Sequence, residues 1–296
     1  MHKLAIKLTF LKKALKNMIE VQDYHYELNS PVRRINFKRQ VMVSLVFLSI
    51  TIGSQIWIKP FNQNLFVDIN GYSQYIAPSV WCVLTLMGDT SILWPMILPM
   101  MRHSPKAIFA AILAIPVGGL MSVLLKHAFD APRPADLKAS LDFTLLGPVL
   151  TSNSFPSGHT ITAFAAASAI VMTLDFQNKN KQKTVIWLII LIAFLIGLSR
   201  IMVGAHWPYD VLAGACVGWL GGLSGLKLAA QSEKYWQKQI VQKITLVILW
   251  LVSLYNLFRV IDYAQGIAAV WISFIFATSG VILYFRPWNQ EDAFEK

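Results

Sequence analysis

The feature that most constrains this chain is a series of long apolar segments separated by clusters of charge. A helix needs about 20 residues to cross a bilayer, and a chain in lipid must satisfy its backbone polar groups internally. The segments therefore predict an all-α fold, a polytopic bundle of membrane helices. Eight of them cover approximately residues 41–58, 77–101, 107–125, 159–175, 185–203, 208–228, 244–261 and 266–285.

The chain carries a formal net charge of +11, which in a soluble protein would raise the question of nucleic acid. Here the cations lie mainly between apolar segments, and no nucleic-acid-binding module is recognisable, so we expect no nucleic acid partner. The charge instead predicts topology and contact with membrane lipids. Because basic residues concentrate on one side when the amino terminus is cytoplasmic, we expect a multi-pass protein of the cytoplasmic (inner) membrane.

Three regions divide the chain. In residues 1–40, which are basic, Leu4, Leu8, Leu11 and Leu15 recur at helical spacing. This pattern favours a cytoplasmic amphipathic helix on the inner leaflet, with a solvated helix or a disordered tail as the alternative. Residues 41–228 form the predicted transmembrane core, and residues 229–296 form a pair of further transmembrane helices with a short tail.

Three polar stretches fall at the predicted outer ends of apolar segments: KHAFDAPRP at 126–134, PSGH at 156–159 and SRIMVGAHWPYD at 199–210. They supply three cations, Lys126, Arg133 and Arg200, which suit a multiply charged anion such as phosphate. Ser157 and Gly158 would open a helix, and a helix amino terminus also binds anions. Glycine lets the backbone approach a ligand closely.

Two histidines in these stretches indicate a reaction. Asp210 follows His206 by four residues, so on a helix it could accept the Nδ1 proton and leave Nε2 free as a nucleophile. His159 could then protonate the leaving oxygen. No carboxylate cluster accompanies them to hold a metal ion, so we expect metal-free chemistry without a cofactor.

The spacing Lys-x6-Arg-Pro, then Pro-Ser-Gly-His, then Ser-Arg-x5-His-x3-Asp resembles the signature of the phosphatidic acid phosphatase type 2 superfamily. The resemblance covers the third to sixth apolar segments. It implies a six-helix core, to which the last two segments are additions. It also implies a phosphohistidine at His206, orientation of that ring by Asp210, and acid–base catalysis by His159. The phosphate-binding residues that it implies are Lys126, Arg133, Ser157, Gly158 and Arg200.

These observations predict an integral membrane enzyme that hydrolyses a terminal phosphate from a lipid phosphate or diphosphate at the outer face. Undecaprenyl diphosphate is the first choice of substrate. Lipid A 1-phosphate, phosphatidylglycerol phosphate and phosphatidic acid are alternatives, as is transfer of the phosphate to another lipid. A lipid transporter or lipid-binding protein is the non-enzymatic alternative. The sequence carries no signal for the oligomeric state.

Two ionisable residues outside the three stretches also need partners. Asp89 lies within the second apolar segment, where a charge is expensive. It either lines the site or caps a broken helix. Arg259, near the end of the seventh segment, is expected to pair with Asp262 at the outer surface.

Overall fold

The computed structural model describes residues 37–57, 59–174 and 176–287, and these residues form helices and connecting loops without a strand. The predicted all-α fold is therefore confirmed, whereas most of the predicted amphipathic segment lies outside the described residues. The α-helices are α1 (Phe37–Trp57), α2 (Lys59–Gly71), α3 (Pro78–Leu86), α4 (Thr90–Met96), α5 (Pro105–Phe129), α6 (Gly158–Val171), α7 (Lys179–Met202), α8 (Pro208–Gln231), α9 (Glu233–Trp236), α10 (Gln239–Asn256) and α11 (Ile267–Phe285).

Among the described residues, five helical segments are long and apolar enough to cross a membrane. Helix α6 is apolar but shorter, with 14 residues. The chain is thus built as a multi-pass membrane protein, and α1 stays a predicted span. The five segments are Pro105–Leu137, Lys179–Met202, Pro208–Gln231, Gln239–Asn256 and Ala264–Phe285.

Helix α8 lies at the centre of the bundle, where it contacts α1, α5 and α6. Glycines on α8 make this close packing possible. A Cβ atom at Gly218 would lie 2.4 Å from the Ile161 carbonyl oxygen on α6, and one at Gly225 would lie 2.1 Å from the Ala110 carbonyl oxygen on α5. Small residues at helix contacts let membrane helices approach closely, so these glycines fix how α5, α6 and α8 meet.

The second apolar segment is a broken helix, which was one of the two possibilities that the sequence left open for Asp89. It breaks between α3 and α4 at Gly88 and Asp89, and a short 3₁₀ helix (Leu98–Met101) follows α4. Asp89 caps α4, because its Oδ1 accepts hydrogen bonds from the Ser91 backbone N–H and hydroxyl, each at 2.8 Å. Its capping role is the second of the two that the sequence left open.

Helices α10 and α11 form an antiparallel pair, here called the C-terminal hairpin, which packs against α3, α4 and the 3₁₀ turn. The hairpin satisfies backbone groups that the broken segment exposes. Pro95 lacks the N–H that would bond to the Ser91 carbonyl in a regular helix. The Asn256 amide donates to that carbonyl at 2.8 Å, and the Ser273 hydroxyl donates to the Ile92 carbonyl at 2.8 Å.

Helix α2 was not predicted, because its sequence is too polar for a membrane span. Its buried Asn70 connects two parts of the bundle. The Asn70 side-chain amide donates to the carbonyls of Thr144 and Ile201, at 3.0 and 2.9 Å, and its oxygen accepts from the Thr144 N–H at 2.7 Å. This side chain thereby satisfies a carbonyl in the last turn of α7 and holds the loop that precedes α6.

Candidate active site

The three polar stretches converge at one end of the bundle, as the sequence predicted. The stretch after α5 joins the segment before α6 through a hydrogen bond of 2.9 Å from the Ser154 N–H to the Ala131 carbonyl. The amino termini of α6 and α8 are joined by a bond of 3.0 Å from the Ser157 N–H to the Asp210 carbonyl. Backbone hydrogen bonds therefore join the three stretches at this end of the bundle.

His206 lies in the tight turn between α7 and α8. Gly204 has a φ of +76° there, in the left-handed region, and a Cβ atom at this position would lie 2.7 Å from the Thr144 carbonyl oxygen. The turn places the His206 N–H within 3.2 Å of the Arg200 carbonyl. Since the side chain is only 2% exposed, the surrounding loops enclose the ring and exclude bulk water from most of it.

Asp210 occupies the first turn of α8 and is fully buried. Its Oδ2 lies 3.4 Å from His206 Nδ1, and it accepts a hydrogen bond of 2.9 Å from the Trp207 N–H. The Ser154 hydroxyl also donates to Oδ2, and its oxygen lies 3.5 Å from His206 Nδ1. The carboxylate therefore faces the Nδ1 side of the imidazole and leaves the Nε2 side for chemistry.

Arg133 occupies that Nε2 side. Its Nη1 lies 3.4 Å from His206 Nε2 and donates to the Ala205 carbonyl at 3.2 Å, while its Nε donates to the Ser152 carbonyl at 2.9 Å. The Asp136 carboxylate helps to position Arg133, because it accepts a hydrogen bond of 2.7 Å from the Arg133 backbone N–H. The guanidinium thus lies beside His206 Nε2, on the side of the ring that Asp210 leaves open.

Arg200, at the end of α7, is fully buried, with 1% exposure. Its Nη1 donates to the Tyr263 hydroxyl at 3.2 Å, whereas its Nε has no hydrogen-bond partner among the residues that the structure describes. A buried donor without a partner is costly. An anion bound at this site would satisfy it.

The remaining predicted residues surround the same end of the bundle. Ser157 is the residue before α6, but its side chain accepts a hydrogen bond of 2.9 Å from Thr160 and does not cap the helix. Gly158 faces open space, since a Cβ atom there would meet nothing within 4 Å. His159 is half-buried in the first turn of α6. Half-buried Lys126, in the last turn of α5, interacts electrostatically with Asp210 and Arg133.

Burial, followed by the positive charges of Arg133 and Arg200, lowers the pKa of His206 well below its ordinary value. His159 and Lys126 act in the same direction. A lowered pKa keeps the imidazole neutral at neutral pH, so a lone pair stays available on the ring. A neutral histidine enclosed by cations is suited to attack an anionic phosphorus centre.

Several residues of this site were missed by the sequence analysis. Ser154 bonds to the Asp210 carboxylate, and Trp207 ties α8 to the first stretch by donating to the Pro132 carbonyl at 2.8 Å. Tyr263 reaches Arg200 from the C-terminal hairpin. A serine two residues before PSGH gives a weak signal by its position, whereas Tyr263 lies 53 residues after Asp210 and no local pattern marks it.

The pairing predicted for Arg259 was wrong. Its Nη2 lies 2.7 Å from Asp89 Oδ2, an ion pair between the C-terminal hairpin and the start of α4. The break before Asp89 packs against the candidate acid, since a Cβ atom on Gly88 would lie 2.9 Å from the Cβ of His159. Asp89 is nearer because the hairpin folds back onto the broken segment.

No group of three or more His, Cys, Asp and Glu side chains that could hold a metal ion occurs among residues 37–57, 59–174 and 176–287. The donor set at the site is dominated by arginine, lysine and histidine. These residues fit a phosphate group, and the cations among them would repel a metal ion.

Comparison with known proteins relates this site to a family. Residues 106–234 match the family described as the PAP2 superfamily. The chain is 34% identical over 114 residues to a Rhizobium etli protein named lipid A 1-phosphatase, covering 38% of this chain and 46% of that protein. It is 26% identical over 172 residues to a Sulfolobus acidocaldarius protein named undecaprenyl-diphosphatase, covering 56% of this chain and 74% of that protein.

A solved structure has the same fold. It is that of a transmembrane PAP2 type phosphatidylglycerolphosphate phosphatase from Bacillus subtilis, with a TM-score of 0.50 and 25% identity over 66% of this chain and 96% of that one. The chain spans less than half of the rhizobial protein, and the C-terminal hairpin follows the segment that matches the family.

Proposed function

The chain belongs to the PAP2 superfamily, and from this premise we propose that it is a membrane lipid phosphatase acting through a phosphohistidine at His206. One observation carries the proposal: the buried imidazole has the Asp210 carboxylate on its Nδ1 side and the Arg133 guanidinium 3.4 Å from Nε2. A nucleophile with an orienting carboxylate on one side and a phosphate-binding cation on the other has the parts that phosphoryl transfer needs.

In the first step, Nε2 of His206 attacks the terminal phosphorus of the substrate. An N–P bond forms while the bond from phosphorus to the leaving oxygen breaks, and His159 gives its proton to that oxygen. Asp210 holds the Nδ1 proton and stabilises the charge on the phosphorylated ring. Arg133, Arg200 and Lys126 meet the negative charge on the phosphoryl oxygens, and the Ser157–Gly158 turn offers backbone N–H groups.

In the second step, His159 acts as a base. It takes a proton from water as the water oxygen attacks phosphorus, the N–P bond breaks, and inorganic phosphate leaves. The cycle restores both histidines and requires no metal or cofactor. Transfer to a lipid hydroxyl in place of water would make the enzyme a phosphotransferase, with a second phosphorylated lipid as its product.

Undecaprenyl diphosphate is the substrate that we propose first. The relative named undecaprenyl-diphosphatase supports it, since this chain covers 74% of that protein. Lipid A 1-phosphate and phosphatidylglycerol phosphate are the next candidates, because other relatives carry the names of phosphatases for these lipids. Phosphatidic acid completes the panel to be tested.

The proposed location is the inner membrane, with the amino terminus cytoplasmic and the site facing outside. The end of the bundle opposite the site carries most of the loop cations, which supports this orientation. Exposed positions at the two ends, Ser140 and Asn180, test it by cysteine substitution. A membrane-impermeant maleimide should label Ser140→Cys in intact cells and Asn180→Cys only after the membrane is opened; the reverse pattern would overturn the orientation.

The activity test measures phosphate release from the four lipids by detergent-purified protein in EDTA. Wild type should release phosphate, and His206→Ala should lose activity by roughly a thousandfold or more. His103→Ala is the matched control. His103 lies just before the amino end of α5, whereas the site lies at the carboxyl end of that helix. A helix of 25 residues is about 37 Å long, so His103 is far from the site. Failure of wild type on all four lipids, or activity that EDTA abolishes, would contradict the proposal.

A further inference from the structure

One side chain of the C-terminal hairpin, that of Tyr263, contacts Arg200 at the candidate phosphate site. Tyr263 lies in the connection between α10 and α11, after the segment that matches the family. Its side chain belongs to a buried cluster with Met202, Val203 and Ala205, the residues that lead into the His206 turn. The hairpin therefore packs against the turn between α7 and α8 that carries His206.

Tyr263 and Arg200 form a buried pair. The Arg200 Nη1 donates to the Tyr263 hydroxyl at 3.2 Å, and the Arg200 Cζ lies 5.6 Å from the centre of the Tyr263 ring. Their exposures are 4% for the tyrosine and 1% for the arginine. A contact of this kind combines a hydrogen bond with a cation–π interaction, and burial strengthens both.

The tyrosine ring is held in place from the side of the core. Gly147 has a φ of +83°, and a Cβ atom there would lie 2.4 Å from Cε1 of the ring. On the side of the hairpin, the Tyr263 carbonyl accepts a hydrogen bond of 2.8 Å from the Gly266 N–H. The position of the hydroxyl is thus fixed before any ligand arrives, which lowers the cost of binding.

The hydrogen bonds at this pair leave donors available. Because a guanidinium only donates, the Tyr263 oxygen must be the acceptor, and its own proton has no acceptor among the described residues. Within the described part of the chain, the buried Arg200 Nε also lacks a hydrogen-bond partner. Two donors of one buried pair thus have no acceptor among the described residues, and the Arg200 carbonyl is bonded to the His206 N–H at 3.2 Å. This arrangement indicates a bound anion that is shared between the two donors.

We propose that Tyr263 is a phosphate-binding residue of this site: its hydroxyl accepts from Arg200 and donates to an oxygen of the same phosphoryl group that Arg200 binds. This inference rests on the proposed phosphatase function. It gives the hairpin a role in catalysis, because an element outside the family-matched segment completes the anion site. No covalent step involves the tyrosine.

The test compares Tyr263→Phe with wild type, since phenylalanine keeps the ring against Arg200 and Gly147 and removes only the hydroxyl. Loss of a hydrogen bond to a charged group predicts a fall in kcat/KM of roughly 10- to 100-fold. Inorganic phosphate serves as a competitive inhibitor, and its inhibition constant should rise in the variant. Tyr255→Phe is the matched control, because that exposed tyrosine lies on the same hairpin.

A second measurement separates binding from folding. Thermal unfolding in detergent is followed with and without inorganic phosphate, and the rise in Tm caused by phosphate should shrink in Tyr263→Phe but not in Tyr255→Phe. An unchanged phosphate inhibition constant and an unchanged Tm rise in Tyr263→Phe would overturn the inference, whatever the basal Tm. Wild type and His206→Ala are assayed together with it, so a failure of the phosphatase proposal itself is recognised separately by an inactive wild type.

Discussion

The family-matched core and the C-terminal hairpin contribute to the site in different ways. The core supplies its residues from three short stretches, each at the end of a helix, where charged side chains stand out in an apolar sequence. The hairpin supplies Tyr263 and Arg259 from a connection with no motif. Tyr263 contacts Arg200 of the core, whereas Arg259 pairs with Asp89, which precedes the family-matched segment. Local motifs therefore identify the residues proposed for the chemistry, whereas the residues that support them are found only through long-range contacts.

The two hairpin residues also differ from each other. Tyr263 is buried against Arg200, in the proposed anion site. Arg259 pairs with Asp89 in a partly exposed place, where the arginine side chain is 26% exposed and the aspartate side chain 27%. The first contact should therefore affect catalysis, and the second should affect mainly how firmly the hairpin is attached.

The largest effect should come from the core. Asp210→Asn removes the charge that orients His206, and the corresponding change in a catalytic triad lowers kcat by about 10⁴-fold. We expect a loss of roughly a thousandfold or more in kcat, with a smaller change in KM. Asp130→Asn is the control, since Asp130 is exposed and asparagine tolerates its left-handed backbone, with a φ of 36°. An Asp210→Asn variant with nearly full activity would remove the carboxylate from the mechanism.

The intermediate effect is that of Tyr263→Phe, and the smallest should come from the Arg259–Asp89 pair. A double-mutant cycle with Arg259→Gln and Asp89→Asn should give a coupling of about 1 kcal/mol in the free energy of unfolding, measured by denaturant titration in micelles. We expect kcat/KM of these variants to stay within about threefold of the wild-type value. A large loss of activity without coupling in stability would place Arg259 in the active site and break the distinction between the two hairpin residues.

The sequence predicted the fold class and the convergence of the site because both depend on local patterns. Apolar length identifies a membrane helix, and cations at helix ends identify an anion site. The packing of Ser154 against Asp210 could not be predicted, because it depends on how the loop after α5 folds over α8. The same holds for Asn70, which acts from a helix whose polar sequence resembles a loop.

The broken second segment shows a structure that local sequence patterns could not establish. Its apolar length predicted one membrane span, and a break was only one of two explanations for Asp89. The break at Gly88 and Asp89 is stable because groups from distant parts of the chain satisfy its exposed polar groups. Asn256 bonds to the carbonyl that Pro95 leaves open, and Arg259 neutralises Asp89. Compensation of this kind lies outside any window of sequence that spans one helix.

The stereochemical course at phosphorus distinguishes transfer of phosphate through His206 from direct hydrolysis by water. A lipid thiophosphate made chiral with ¹⁷O and ¹⁸O is hydrolysed in ordinary water, and the configuration of the released thiophosphate is determined. Two successive in-line displacements, first by the imidazole and then by water, predict overall retention. Inversion would show a single displacement by water, and would contradict the phosphohistidine.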